Sequence, residues 1–501
     1  MWRKWLIFIG SLWLLGCTPP ATKQFLSQSK RPTDAVLFFQ QLDQAVDKAE
    51  VVNRRSTKIP GFPYLAADRF LESRVGKLTT SAAFDRWLEQ MADLSRDTRQ
   101  HEIQNLPQAE IDRFFYEYKS IQAPTRKALL EQSQQQAIML SRSDRRQAGF
   151  AATIQSAVQV PDDYSTTLRV VGLYPVAILP VAYFSDGFFD QLRAWHQIPP
   201  DQLRVFGQLT AYRNRESAPE GANDLESLFR PSNRDPLGLP LLSHEDRLML
   251  VRRFAPVIVQ DNAATYDRIG QVKWQEPETL HIDSQKPTAY YYLSNAYLKG
   301  KPIWQINYVF WYSGRLGENT PWFERGLIDG ITLRVSLDQK GSPFMIDLMN
   351  SCGCSHQFFP RKDRVAELLD RSMMFDALVP AWLPDNFPEK PVQIRVNSGW
   401  HQVQHIGVEA DHAEKKLYEL RPYEDLESLP LGSDQFRSMF DEKGIAFGSD
   451  RVEPYFFFPM GIHDVGAMRQ RGHHPIALIG RSHFDEPDLF DLYFSWKSEG
   501  K

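Results

Sequence analysis

The chain has 501 residues, of which 42% are hydrophobic and 24% are charged, and its formal net charge is −4. These values are typical of a globular protein, and the mildly acidic balance argues against a nucleic-acid partner, which would favour a basic face. The length predicts two or three domains. Three cysteines, Cys17, Cys352 and Cys354, cannot supply a disulfide framework, so the fold must depend on an apolar core.

The N-terminus has the pattern of a secretory signal peptide. Arg3 and Lys4 precede an apolar run from Leu6 to Leu15, and Gly16 stands before Cys17. About ten apolar residues are too few for a membrane helix, because spanning a bilayer takes roughly twenty. Residues 14–17, Leu-Leu-Gly-Cys, resemble the lipobox of bacterial lipoproteins, although the second leucine is bulkier than usual.

The resemblance to bacterial lipoproteins implies that residues 1–16 are removed and that Cys17 receives lipid, including palmitate, as the new N-terminus. Several acyl chains on one residue anchor a protein stably, whereas one chain is marginal. Thr18 stands where an Asp would resemble an inner-membrane retention signal. The resemblance therefore implies a lipid-anchored envelope protein at the outer membrane, facing the periplasm.

Composition and periodicity divide the chain into five segments. They are the signal peptide (1–16), a polar tether (17–33), a helical region (34–160), a mixed connecting region (161–250) and a β-rich domain (251–501). Apolar spacing predicts helices from residue 33, from 82 to about 96, after 107, and from about 125 as far as 157. The predicted fold class is α+β, with a helical N-terminal region followed by a larger β-rich C-terminal region.

Two hairpins and one apolar run are the clearest features after residue 161. Residues 331–349 and 392–408 each contain two strand-like runs around a turn, which predicts two β-hairpins. The run from Val170 to Phe184 is apolar but contains Pro175 and Pro180. We interpret it as a buried strand or extended core, in preference to a segment on a membrane surface.

The sharpest cluster of chemically active residues is Cys352-Gly353-Cys354-Ser355-His356. Thiolates and imidazoles are zinc ligands, and an extended chain would place these three side chains on one face. His401 and His405 would also share a face, so these five residues are candidates for a zinc site, with His473 and His474 as further candidates. A tight disulfide, a redox-active thiol pair and buried inert thiols remain alternatives for the cysteines, and ordinary polar positions in the β-rich domain remain the alternative for the histidines.

Other patterns are weaker. Neither a hydrolase nucleophile elbow nor a phosphate-binding loop is present in the sequence. Glu324 and Asp329 are an acidic pair, but two carboxylates in a sequence with 62 acidic residues are only weak evidence for glycoside hydrolysis. The aromatic residues from 304 to 323 either line a carbohydrate groove or pack a β-core. Arg469 and Arg471, in a loop between glycines, either clamp an anion or form a solvated basic turn.

Two functions of different classes remain after these arguments. The favoured one is a membrane-anchored envelope lipoprotein that binds a ligand or a partner, such as a protein or the cell wall. The alternative is an extracytoplasmic metal-dependent hydrolase built on Cys352, Cys354, His356 and the later histidines. The second function requires nearly stoichiometric metal, and the first does not.

Overall fold

The computed structural model describes residues 19–118, 123–216, 225–276, 278–369, 377–408 and 414–497. The chain forms two compact units: residues 1–161 with 432–442, and residues 162–431 with 443–501. Helices dominate the first unit and strands the second, which confirms the α+β class. In the described part of the chain, no helix is long and apolar enough to cross a membrane. Cys17 and the other residues that resemble a lipobox lie outside the described residues.

The first unit is built mainly from helices. Its elements up to residue 161, numbered in chain order, are α1 (Pro20–Gln28), α2 (Thr33–Lys48), β1 (Thr57–Ile59), β2 (Phe62–Ala67), α3 (Arg69–Glu72), α4 (Ser81–Asn105), α5 (Gln108–Glu117), α6 (Arg126–Arg145) and α7 (Phe150–Ala157).

Local capping sets several of these boundaries. The side chain of Thr80 accepts a hydrogen bond from the amide of Ala83 and begins α4, and Thr125 does the same for α6. The predicted helix that would run from 125 to 157 is interrupted at Gly149, whose φ of 82° is left-handed. The β1–β2 hairpin, which includes the turn at Gly61, was not predicted.

The predicted polar tether is partly wrong, because residues 20–28 form helix α1. Phe25 is buried, and its ring centroid lies 5.9 Å from that of Phe62 and 6.3 Å from that of Phe150. A short helix of mostly polar residues is marginal alone and is stabilised by tertiary packing. The single aromatic residue that makes this packing is a weak signal in the sequence.

The second unit contains the larger share of strands. The elements after residue 161 are α8 (Thr166–Val171), α9 (Tyr174–Gln197), β3 (Gln208–Asn214), α10 (Leu225–Leu228), α11 (His244–Arg253), β4 (Val257–Asn262), β5 (Gln271–Glu276), β6 (Thr279–Asp283), β7 (Thr288–Leu298), β8 (Lys301–Arg315), β9 (Gly326–Leu337), β10 (Pro343–Asn350), β11 (Gln357–Pro360), β12 (Val365–Leu368), β13 (Val392–Val396), β14 (Val403–Val408), β15 (Glu414–Pro422), β16 (Leu429–Gly432), β17 (Gln435–Arg437, in the first unit), α12 (Pro454–Phe457), α13 (Leu489–Tyr493) and β18 (Phe494–Trp496).

Ten of these strands form one mixed sheet in the order β11-β10-β9-β8-β7-β15-β3-β4-β13-β14. The two predicted hairpins are present as the antiparallel pairs β9–β10 and β13–β14, with Ile346 opposite Val335 and Ile394 opposite Ile406. Strand β15 runs parallel to both of its neighbours, and β13 runs parallel to β4. The region predicted as a mixed connection supplies β3, which lies inside this sheet between β15 and β4.

The apolar run from Val170 to Phe184 is helical and exposed, so its interpretation as buried strand or core is wrong. It covers the end of α8 and the first part of α9. Pro175 occupies the first turn of α9, where a missing N–H is tolerated, and Pro180 lies inside the helix. Seven of its large apolar side chains are each 66–78% exposed. The hydrophobicity of these residues did not by itself show whether they are buried or exposed.

Candidate functional site

A cavity of about 680 Å³ lies in the second unit. Its walls are mainly aromatic and aliphatic, and its polar groups include two glutamates, two cysteines and a histidine. The apolar lining includes Val181, Phe184, Phe188, Trp322, Trp400 and Phe456, and the polar lining includes Glu324, Cys352, Cys354, His356 and Glu453.

Separate elements bring the apolar wall together. Helix α9 carries Phe188, whose ring centroid lies 5.5 Å from that of Trp400, in the turn between β13 and β14. Trp322, which follows β8, makes an edge contact at 5.7 Å with Phe456 of α12. The wall therefore depends on contacts between segments that are more than a hundred residues apart in the chain.

The two cysteines lie in a tight loop that follows β10. The amide of Asn350 donates to the carbonyl of Cys354 at 3.0 Å, and the amide of Cys354 lies 3.3 Å from Sγ of Cys352. Gly353 has a φ of 92° and Ser355 a φ of 58°, so this part of the chain is not extended. The prediction that Cys352, Cys354 and His356 share one face of an extended chain is therefore wrong, although all three line the cavity.

Electrostatic interactions distinguish the two free thiols. Burial raises the pKa of Cys352, but the hydrogen bond from Cys354 and the charge of Arg315 outweigh burial and lower this pKa below its usual value. The hydrogen bond to Cys352, together with burial, raises the pKa of Cys354 well above its usual value. Among the described residues, the strongest charged neighbours of these thiols are Arg315, Asp329 and Glu453.

Glu453 is a buried carboxylic acid in the wall of the cavity. Glu453 is 7% exposed. Burial, together with the charges of Glu324 and Cys352, raises the pKa of its carboxyl group well above the usual value. The protonated form is favoured because an ionised carboxylate would be desolvated here beside other negative groups. The cavity wall therefore includes a carboxyl group that can donate a hydrogen bond.

His356 is held by a carboxylate on a neighbouring strand. Its Nε2 lies 2.9 Å from Oδ2 of Asp347 in β10, and the same carboxylate accepts two hydrogen bonds from Arg334. Burial lowers the pKa of His356, and the hydrogen bond to Asp347 only partly opposes this effect. The contact fixes the imidazole and satisfies one of its nitrogens.

Both ring nitrogens of His401 bind carboxylates. Nδ1 lies 2.7 Å from Asp329 and Nε2 lies 3.2 Å from Asp267, while the ring stacks on Tyr312 at 4.1 Å. Arg315 binds both oxygens of Asp329, at 3.0 and 3.1 Å. These five residues, which we call the buried ion network, are at most 3% exposed.

The pKa shifts in the buried ion network agree with paired charges. Burial lowers the pKa of His401, but hydrogen bonds to Asp267 and Asp329 outweigh it and raise this pKa above its usual value. Burial raises the pKa of Asp329, and Arg315 with His401 more than reverses that change. The network therefore favours a protonated imidazole between two ionised carboxylates.

The remaining predicted ligands lie in other environments. The ring of His405 is stacked on that of His196, with 6.5 Å between the ring centroids, and burial lowers the pKa of His405. His473 Nδ1 lies 2.9 Å from Oδ1 of Asp163, and burial lowers the pKa of His474 to about 3. Among the described residues, no group of three or more His, Cys, Asp or Glu side chains is arranged to hold a metal ion. The zinc site stays a prediction.

The loop containing Arg469 and Arg471 is neither solvated nor open to an anion. Arg471 is 8% exposed and binds both carboxylate oxygens of Glu427 and one of Glu424, with its guanidinium 4.8 Å from the ring centroid of Tyr423. The guanidinium of Arg471 is therefore held in internal ion pairs with Glu427 and Glu424. Arg469 donates to the backbone carbonyl of His463.

The sequence left several important residues unassigned. Glu324 and Asp329 both bind Arg315, which makes them counter-ions of one buried guanidinium. Glu453 and Trp400 carried no distinguishing pattern, and only their spatial position makes them part of the cavity. The aromatic group divides: residues 310–312 are buried in the sheet, and Trp322 with Phe323 lines the cavity.

Comparison with known proteins gives no assignment. No protein-family model, no curated protein and no solved structure matches this chain.

Proposed function

We propose that the second unit binds an apolar small molecule, of the chemical class of a lipid acyl chain, in the cavity described above. The observation that supports this function is a largely apolar cavity of about 680 Å³ whose wall also carries Glu453, Glu324 and Cys352, which lie close enough to interact electrostatically. Ligand sites in proteins usually have volumes of about 300–1,000 Å³ and combine apolar walls with a few placed polar groups.

The polar groups in the cavity wall indicate which head group fits. Glu453, with a strongly raised pKa, offers an O–H donor, and the thiols of Cys352 and Cys354 lie in the same wall. A carbonyl or ester oxygen at the end of an apolar chain accepts such a hydrogen bond. An anionic head group fits less well, because Glu324 also lines the cavity.

We also propose that the whole chain is an envelope lipoprotein anchored through Cys17, at the outer membrane facing the periplasm. The lipobox of residues 14–17 supports this location. Cys17→Ser should release the protein from the membrane fraction or leave it as an uncleaved precursor. A mature protein with an unmodified N-terminus elsewhere, detected by mass spectrometry, would contradict the proposal.

The metal-dependent hydrolase has less support as a function. His356 and His401 already bind carboxylates, and His405, His473 and His474 lie in other environments. A protein or cell-wall partner remains a prediction.

Fluorescence of the apolar dye phenylnaphthylamine tests the cavity directly. Val181→Trp fills the cavity, since Val181 lines it and is 7% exposed, and should weaken dye binding by about tenfold, equivalent to roughly 1.4 kcal/mol. Val205→Trp is the matched control, because Val205 is 43% exposed and does not line the cavity. Long-chain fatty acid esters should displace the dye better than short ones. Equal dye affinity in the two variants would remove the cavity as the binding site.

A further inference from the structure

The second unit exposes an apolar face at the mouth of the cavity. We define the apolar face as the exposed large hydrophobic residues of α8, α9, α12 and the adjoining segments: Val170, Val171, Leu173, Val176, Leu179, Tyr183, Phe184, Trp322, Tyr455, Phe456 and Phe458. Those between 170 and 184 are 66–78% exposed, and Tyr455 is 81% exposed. Soluble monomers rarely expose large contiguous apolar patches unless the patch has a binding role.

Packing joins the two halves of the apolar face into one surface. Helices α8 and α9 both contact the single helical turn Phe458–Met460, which follows α12 directly. The amide of Ser165 donates to the carbonyl of Gly461, and Arg169 donates to the carbonyl of Met460 at 2.9 Å. Gly172 lies so close to Pro459 that a Cβ there would be 2.5 Å from Cα of Pro459. The exposed side chains are therefore carried by a well-packed scaffold.

The first half of α9 is apolar on both of its sides. Val181 faces inwards and is 7% exposed, whereas Val176 and Leu179 face outwards and are 66% and 69% exposed. A helix that faces water normally has polar residues on its outer side. Residues 170–185 contain no Asp, Glu, Lys or Arg, so this outer side has no charged residue at all.

The cavity and the apolar face share residues. Phe184, Trp322 and Phe456 are 71%, 65% and 53% exposed, and each also lines the cavity. The apolar wall of the cavity is thus continuous with the apolar face.

We propose that the apolar face docks on the surface of a lipid bilayer and that the cavity takes its ligand from the acyl chains of that bilayer. The absence of charged residues from 170 to 185, the exposed aromatic residues of the face and the side chains that it shares with the cavity favour a bilayer over a protein partner, whose interface normally has a polar rim. The lipobox independently indicates a chain held at a membrane. The docking stands by itself, and the source of the ligand rests on the function proposed above.

Vesicle flotation tests the docking. The mature chain from residue 18, which contains every described residue, is made without the signal peptide and therefore without lipid. It is mixed with vesicles of three parts phosphatidylethanolamine and one part phosphatidylglycerol. We expect the chain to float with the vesicles and Val176→Asp/Leu179→Asp to reduce the bound fraction at least tenfold, because charged residues insert poorly into apolar membrane layers.

Ile138→Asp/Met139→Asp is the matched control. Both residues are exposed apolar positions on α6, at 51% and 46%, and the variant should float like the wild-type chain. Absence of wild-type flotation, or equal flotation of the two variants, would overturn the docking. Concentration-dependent dimerisation that only Val176→Asp/Leu179→Asp abolishes, without flotation, would identify the face as an interface between two copies and would also overturn it.

Dye binding measured without vesicles separates this inference from the proposed function. Val176 and Leu179 do not line the cavity, so Val176→Asp/Leu179→Asp should retain the dye affinity of the wild-type chain. If the wild-type chain binds the dye but does not float with the vesicles, the docking alone is overturned. Intact flotation with no effect of Val181→Trp on dye binding removes the cavity function alone.

Discussion

The second unit contains two sets of side chains with opposite properties. In the buried ion network, every charged group has a partner of opposite charge, and His401 binds a carboxylate through each ring nitrogen. On the apolar face, large hydrophobic side chains are 37–81% exposed. Internal contacts explain the titratable residues of the buried ion network, whereas burial does not explain the large hydrophobic side chains of the apolar face, and their exposure indicates a binding role.

The largest effect is expected from breaking the network. Asp329→Ala leaves Arg315 without its bidentate partner and His401 without the partner of its Nδ1, so the free energy of unfolding should fall by about 3–5 kcal/mol. Denaturant unfolding measures this change. Asp190→Ala is the control, because the exposed Asp190–Arg193 pair should contribute less than about 1 kcal/mol. Equal losses in both variants would show that the network contributes no special stability.

The cysteine loop should be the next most sensitive part. In Gly353→Ala the new Cβ would lie 2.2 Å from the carbonyl oxygen of Pro475, and φ at this position is 92°. Gly300→Ala shares the left-handed backbone, with a φ of 69°, but meets nothing within 4 Å. Thermal and denaturant unfolding should show a loss for Gly353→Ala that exceeds the loss for Gly300→Ala by about 1–3 kcal/mol. A similar loss would mean that the loop can move away from Pro475.

The pH dependence of stability should separate two histidines. The pKa of His401 is raised in the folded state, so its contribution is complete below its usual value of 6.5 and is lost as the pH rises through the folded pKa. The pKa of His405 is lowered mainly by burial, so its contribution is present above 6.5 and is lost as the pH falls.

Unfolding free energies measured at pH values on either side of 6.5 test these signs. The wild-type chain should lose stability as the pH rises because of His401, and His401→Gln should abolish this loss. The wild-type chain should also lose stability as the pH falls because of His405, and His405→Gln should abolish that loss. The pKa values of Asp267 and Asp329 are lowered, and their contributions are present above 3.8 and are lost only at lower pH. If both substitutions changed the pH dependence of the unfolding free energy in the same direction relative to the wild-type chain, the assigned charge of His401 would be contradicted.

The smallest effect is expected from chelation. A binding protein of the proposed kind should contain well below one zinc per chain, and a chelator should leave its melting temperature unchanged. Elemental analysis of the wild-type chain and of Cys352→Ser measures this. Near-stoichiometric zinc that Cys352→Ser abolishes, with a loss of thermal stability, would instead support the zinc site and the hydrolase.

The sequence predicted those features that depend on neighbouring residues. The strand-like runs on either side of the predicted turns at residues 338–342 and 397–399 predicted two hairpins, because strand alternation and turn residues act locally. The helices that begin after Thr80 and Thr125 followed from apolar spacing, although the end of the second depended on Gly149. The α+β class followed from the different composition of the two parts of the chain.

For the candidate site, the sequence indicated only part of the polar wall. Cys352, Cys354 and His356 do line the cavity, but their spacing in the sequence did not predict that Glu453 and the aromatic residues line it as well. The pairing of His401 with Asp267 joins residues 134 positions apart, and the tertiary structure decided it. It also decided that α9 is exposed on its apolar side, because an apolar residue has the same hydrophobicity whether its neighbours cover it or leave it open.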